Sequence, residues 1–121
     1  MAKYIDCFII PVTKKGAAEY CKLAKKSAKL WIKHGALECS EGIAEDAPKG
    51  KVTSFPRSIK MKATETVVVT QVVYRSRAHR DQVMDKTMND PEMHKIWEKM
   101  PIDSMRMIFG GFEMIASEKT K

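Results

Sequence analysis

The sequence predicts an α+β domain in which strands and helices follow the order β-α-β-loop-β-α-β. Three observations predict it. Short apolar runs rich in β-branched and aromatic residues occupy 3–12 and 66–74. A period of 3.6 runs through 14–34. Cap-and-breaker residues, Ser76, Asp90-Pro91 and Met100-Pro101, punctuate the second half.

The first run, Lys-Tyr-Ile-Asp-Cys-Phe-Ile-Ile-Pro-Val, is brief and has Pro11 near its end, which favours a strand over a helix. Apart from Asp6 it is apolar on both faces, so both faces need cover. Residues 14–34 predict a long helix with Thr13 as N-cap and Gly35 at the C′ position. Ala17, Tyr20, Cys21, Ala24, Ala28 and Trp31 form its expected apolar stripe. Lys15, Lys22, Lys26, Lys29 and Lys33 form a basic one. A second strand is expected at Ala36–Ile43. The irregular stretch 45–64, broken by Pro48, Gly50 and Pro56, is expected to hold a short helical turn near Pro56–Ile59. Thr66–Tyr74 reads as the clearest strand.

Ser76 can cap a further helix with Val83, Met84, Thr87 and Met88 inward. Asp90 and Pro91 restart a helix as N-cap and N1, with Met93, Ile96 and Trp97 inward. The last strand is expected at Arg106–Ile115. Its Gly110-Gly111 pair marks a bulge or a close approach. This order is the ferredoxin-like βαββαβ arrangement, with an antiparallel sheet covered by helices on one face. The apolar second face of the sheet predicts a homodimer that packs two sheets together.

Composition bounds the function. The 121 residues, 44% hydrophobic and 31% charged, suit a single globular domain spanning 1–121. No apolar stretch is long enough to span a bilayer or to serve as a signal-peptide core, so a cytoplasmic protein with no membrane partner is expected. Cys7, Cys21 and Cys39 are odd in number and lack C-x-x-C spacing, which fits buried or half-buried free thiols, with a reactive Cys7 or Cys39 as the alternative, and excludes a zinc site built from cysteine pairs. The +7 charge invites anionic partners. Lysine outnumbers arginine, aromatics are few, and no nucleic-acid-binding signature is present, so nucleic acid is not the expected partner. Gly50-Lys51-x-Thr53 lacks the first glycine of a phosphate loop. Asp90 and His94, four apart, are too few for a metal site. Glu38, Glu41, Glu45 and Asp46 read as a solvated edge. No cofactor is indicated.

Several segments in order resemble a known family: Tyr4-Ile5-Asp6-Cys7-Phe8, His34-Gly35-Ala36, Gly50-Lys51-Val52-Thr53-Ser54-Phe55-Pro56, Ser76-Arg77-Ala78-His79-Arg80-Asp81, Met100-Pro101-Ile102-Asp103 and Arg106-Met107-Ile108-Phe109-Gly110-Gly111-Phe112. Over roughly 3–115 the chain resembles the YbaA-like bacterial proteins, also labelled domain of unknown function 1428. The resemblance implies a ferredoxin-like fold forming a dimeric α/β barrel, and no established activity.

The residues single out three candidates. Asp6 is a carboxylate inside an apolar strand, which needs a partner or a task. Arg106, opening the last strand, is its expected partner. The first and last strands are not expected to be neighbours, but their residues can converge on one face. His34 can be a helix cap or a base facing a pocket. Asp6, His34 and Arg106 are thus the expected centre, able to hold an anionic substrate and move a proton. The function expected is a homodimer that binds, or acts on, a small metabolite in a pocket between sheet and helices. The alternative is a noncatalytic basic module contacting nucleic acid or an acidic partner through the lysine-rich helix. Whether the protein is an enzyme does not follow from the residues.

Overall fold

The computed structural model describes residues 2–120. Four strands, β1 (Tyr4–Thr13), β2 (Glu38–Ile43), β3 (Glu65–Tyr74) and β4 (Ile108–Glu113), form one antiparallel sheet in the order β2-β3-β1-β4. The helices are α1 (Ala17–Lys33), α2 (Phe55–Ser58), α3 (Arg77–Met88) and α4 (Pro91–Lys99). The fold is the expected ferredoxin-like α+β class. One expectation about its topology fails, because β1 and β4 are direct neighbours, with Asp6 opposite Gly111 and Phe8 opposite Phe109. Each β-α-β unit leaves one strand's width between its strands. The two units interleave, so β1 lies between β3 and β4.

The local signals act as the sequence implies, with small shifts. Thr13 does not cap α1 directly. Its hydroxyl accepts the Gly16 N–H at 3.1 Å, and Gly16 is the N-cap. At the other end Gly35 takes φ +114°, and the Ala36 and Gly35 amides donate to the Trp31 and Ile32 carbonyls, the paired closure that satisfies a helix end. Ser54, Ser76 and Asp90 cap α2, α3 and α4.

The core lies between the helices and the face of the sheet carrying Phe8, Ile10, Val12, Val68, Val72 and Tyr74. The stripe of α1 is turned from the expected one. Tyr20, Leu23, Ala24, Ser27, Leu30 and Trp31 are buried, whereas Cys21 is exposed and Ala28 half-buried. Positions 20, 23, 24, 27, 30 and 31 keep helical spacing only if Ser27 goes inside, where its hydroxyl meets Met93 Sδ at 3.5 Å. In α3, Met88 is exposed and His79 is buried instead.

By strand alternation the other face carries Ile5, Cys7 and Ile9 from β1, Val69 and Gln71 from β3, and Ile108, Gly110 and Phe112 from β4. Val69, Ile108 and Phe112 are exposed there. No helix among the described residues is long and apolar enough to cross a membrane.

Candidate functional site

Asp6 is 0% exposed. It points to the helix side of β1, opposite Val72, where Tyr74 closes the end of β3 and α3 begins. Its Oδ2 accepts the Tyr74 hydroxyl at 2.8 Å, and its Oδ1 accepts Arg80 Nη1 at 3.1 Å. The guanidinium carbon of Arg80 lies 4.9 Å from the centre of the Tyr4 ring, and that of Arg77 lies 5.8 Å from the same ring. Burial pushes the Asp6 carboxyl above the usual carboxylate range, against the pull of Tyr74 and Arg80. The Tyr74 hydroxyl is raised as well, by burial and by Asp6. The group is a sealed acid that holds a proton more readily than an exposed aspartate. It can orient a guanidinium.

Gly111 makes room for this corner. A Cβ on it would lie 2.6 Å from the Tyr4 oxygen and 2.8 Å from the ring edge. The glycine pair in β4 therefore marks a close approach, here of a side chain rather than a backbone.

The three expected site residues have separate partners. Arg106 does not pair with Asp6. Its terminal nitrogens hold both oxygens of the Glu65 carboxylate at 2.9 and 2.5 Å, and its Nε holds Asp103 at 2.9 Å. Glu65 is opposite Thr13 on β1, seven residues from Asp6, which at about 3.3 Å per residue puts Arg106 and Asp6 about 23 Å apart along the sheet. Arg106 also reaches the Ile59 and Lys60 carbonyls, so it fastens the 45–64 loop to the start of β3. This pairing holds Glu65 and Asp103 below their ordinary pKa. His34 Nε2 meets Asp90 Oδ2 at 2.7 Å, joining the end of α1 to the cap of α4. Asp90 is held low by that contact. His94 turns instead to the Met88 carbonyl, so the Asp90–His94 pair does not form.

Other expectations are redrawn by side-chain partners. Glu41 is half-buried rather than a solvated edge acid, and accepts both the Tyr20 hydroxyl at 2.5 Å and the Thr70 hydroxyl at 2.9 Å. Burial raises the Cys7 thiol and pushes Cys39 up to about 12, so neither is an activated nucleophile. No three His, Cys, Asp or Glu side chains gather closely enough to hold a metal ion among the described residues.

Sequence reasoning missed Tyr4, Tyr74, Arg77, Arg80 and His79. His79 is buried, and its Nδ1 accepts the Arg75 N–H at 3.0 Å, which leaves the proton of the neutral ring on Nε2. The signal was the strand order. Once β1 is set beside β3, the end of β3 and the first turn of the next helix must flank Asp6.

Depressions mark the surface of the described residues. One, of about 530 Å³, lies on the uncovered sheet face among Cys7, Ile9, Ser40, Phe55, Val69 and Gln71. Another, of about 220 Å³, runs between α1 and β2 past Tyr20, Lys25, Glu41 and Ile43. Neither is lined by Asp6, His34 or Arg106.

Comparison with known proteins agrees with this architecture. A solved cofactor-independent oxygenase, SnoaB from Streptomyces nogalater (mutant N63A), superposes with a TM-score of 0.65 at 9% identity over 97% of each chain. A dimeric ferredoxin-like protein from an uncultured marine organism superposes with a TM-score of 0.63 at 12% identity, over 98% of this chain and 100% of its own. At such identities the likeness is one of fold. In sequence, the uncharacterized protein YbaA of Escherichia coli K12 is 41% identical over 116 residues, 96% of this chain and 99% of its own, and the Shigella flexneri protein of that name matches equally. The model of the family described as Protein of unknown function (DUF1428) matches residues 3–104, and the chain belongs to that family.

Proposed function

We propose that the protein is a homodimer that binds a small molecule at the corner between β1, β3 and α3, with Asp6 as its polar centre. The observation that carries this reading is the sealed Asp6 carboxyl. A buried charge costs several kcal/mol unless fully paired, and an apolar residue would serve the core better. Groups with raised carboxyl pKa beside a specific cation concentrate at functional sites. Of the three candidates, Asp6 acts at this corner through Arg80, while His34 and Arg106 hold ion pairs elsewhere, His34 joining α1 to α4 and Arg106 fastening the 45–64 loop.

The uncovered sheet face supports the dimer. Val69, Ile108 and Phe112 are exposed on it, and Phe55 overhangs it from α2. A second copy would cover the face, as befits a fold also found in a protein described as dimeric. A second reading, contact with an acidic partner through the exposed lysines 22, 25, 26, 29 and 33 of α1, rests on that face alone.

Light scattering is expected to give twice the 13.7 kDa chain mass. A stable monomer at micromolar concentration ends the dimer reading. A thermal-shift screen of metabolites is expected to find a stabilising ligand whose effect vanishes in Asp6→Asn while the dimer persists. A ligand shift unchanged by Asp6→Asn moves the site elsewhere. Retention on heparin that yields to salt, with no stabilising metabolite, favours the lysine face.

A further inference from the structure

The two largely buried arginines use their donors very differently. Arg106, with 18% of its side chain exposed, spends its terminal nitrogens on Glu65 and two carbonyls and its Nε on Asp103. Arg80, with 13% exposed, is well used only at Nη1, by Asp6. Its other edge, formed by Nε and Nη2, presents the two parallel N–H groups that an oxyanion takes side-on. That edge is poorly served. Nη2 meets the Tyr4 oxygen at 3.5 Å, the outer limit of a hydrogen bond. Nε lies 3.1 Å from Asp81 Oδ1 but makes no hydrogen bond, and among the described residues it is the buried side-chain polar atom without a partner.

Positive charge also collects where the fold disfavours it. Arg77 and Arg80 stand in the first turn of α3, which holds no acid, although a helix N-terminus already carries positive partial charge. Arg75 precedes it. Asp6 engages Arg80 from the sheet side, and on the outer side the charge is offset by Asp81. One of its oxygens sits between the two guanidiniums, 3.1 Å from Arg80 Nε and 3.5 Å from Arg77 Nε. Its side chain is 58% exposed and that of Arg77 68%, so both can swing away.

We propose that the Nε/Nη2 edge of Arg80, together with Arg77, is an oxyanion subsite for a carboxylate or phosphate group of a small ligand. Asp81 occupies it until the ligand displaces it. Tyr4, packed against Gly111, walls the subsite, and Asp6 and Tyr74 lie behind the guanidinium. The inference rests on the ligand reading above and supplies the ligand's chemistry.

The test uses inorganic phosphate, and acetate in a parallel arm, titrated at constant ionic strength into the ¹⁵N-labelled full chain while the arginine Nε–H resonances are followed. The Arg80 and Arg77 signals are expected to move saturably, with Arg106 still. Asp81→Asn is expected to tighten binding about five-fold, and Arg77→Gln to weaken it by about the same factor. A response to phosphate alone identifies a phosphate-bearing ligand, and a response to both includes carboxylates. Both substitutions are at exposed positions and leave folding intact. An affinity in Asp81→Asn within about two-fold of the wild type overturns the proposal. So do Arg80 and Arg106 signals that move together. If neither anion binds but a metabolite still stabilises the wild type and not Asp6→Asn, the ligand reading stands and only its oxyanion chemistry is lost.

Discussion

Replacing Tyr74 by Phe removes one oxygen from the sealed group around Asp6 and leaves the ring in place. Tyr74 is 0% exposed and its hydroxyl donates to Asp6 Oδ2 at 2.8 Å, so water cannot replace the lost donor without opening the core. A hydrogen bond to a charged acceptor contributes about 1.5–3 kcal/mol. We expect a loss of about 2 kcal/mol at pH 7.5, or about 8 °C in Tm for a domain of this size. The pH dependence identifies the cause. The hydroxyl favours ionised Asp6, so its removal raises the folded-state pKa still further above the usual 3.8 while the unfolded value stays put. Below that usual value Asp6 is protonated in both states and the loss should be nearer about 1 kcal/mol, the worth of a neutral hydrogen bond. As pH rises, the folded wild type sheds the Asp6 proton before the folded variant does, so the penalty grows between the two folded pKa values and levels off above the variant's. Urea unfolding of wild type and variant at matched protein concentration, from pH 3.5 to 7.5, measures it. A loss under about 0.5 kcal/mol at pH 7.5, or one that does not change with pH, refutes the account of Asp6 as a buried acid held by Tyr74.

Asp6→Asn should show the complementary trend. Because burial raises the wild-type carboxyl, Asp6 stabilises best below its unfolded pKa and loses ground as pH climbs, so the variant should gain on the wild type with rising pH in the same unfolding series. Arg106→Gln should lower Tm by about 8 °C through loss of the Glu65 and Asp103 contacts, yet leave ligand-induced stabilisation unchanged. Loss of the ligand effect with an unchanged Tm would return Arg106 to the site. Gly111→Ala should cost about 2 kcal/mol by driving a Cβ into the Tyr4 ring, and the cost should largely vanish in a Tyr4→Ala background, as a double-mutant cycle in urea would show. Val69→Glu on the uncovered sheet face should give a monomer by light scattering with a folded circular dichroism spectrum. A dimer unchanged by it would place the interface elsewhere.

Signals that act over a few residues were legible in the sequence. Ser76, Asp90-Pro91 and Gly35 mark helix ends because capping depends on the immediate backbone. The β-branched run in Thr66–Tyr74 and the elements around it were enough to name the ferredoxin-like class, and the ordered motifs from Tyr4 to Phe112 were enough to name the family. Asp6 stood out because a carboxylate in an apolar strand is costly wherever the strand goes.

The partners of Asp6 were not legible, because they depend on which strands are neighbours. The sequence offers Arg106 as counter-ion because residues of the first and last strands, even when not neighbours, can converge on one face. With β1 between β3 and β4, the opening of β4 belongs to the Glu65 end of the sheet, and the counter-ion comes from α3. His34 was drawn to Asp90 by the packing of α1 on α4, across 56 residues of chain that no local pattern spans. The sequence by itself determined the elements, most of their caps and the presence of a buried acid, since each follows from propensity and burial within a few residues. Only the tertiary structure decided which arginine is saturated and which has a poorly served edge, because donor satisfaction depends on distances between chain segments far apart in sequence.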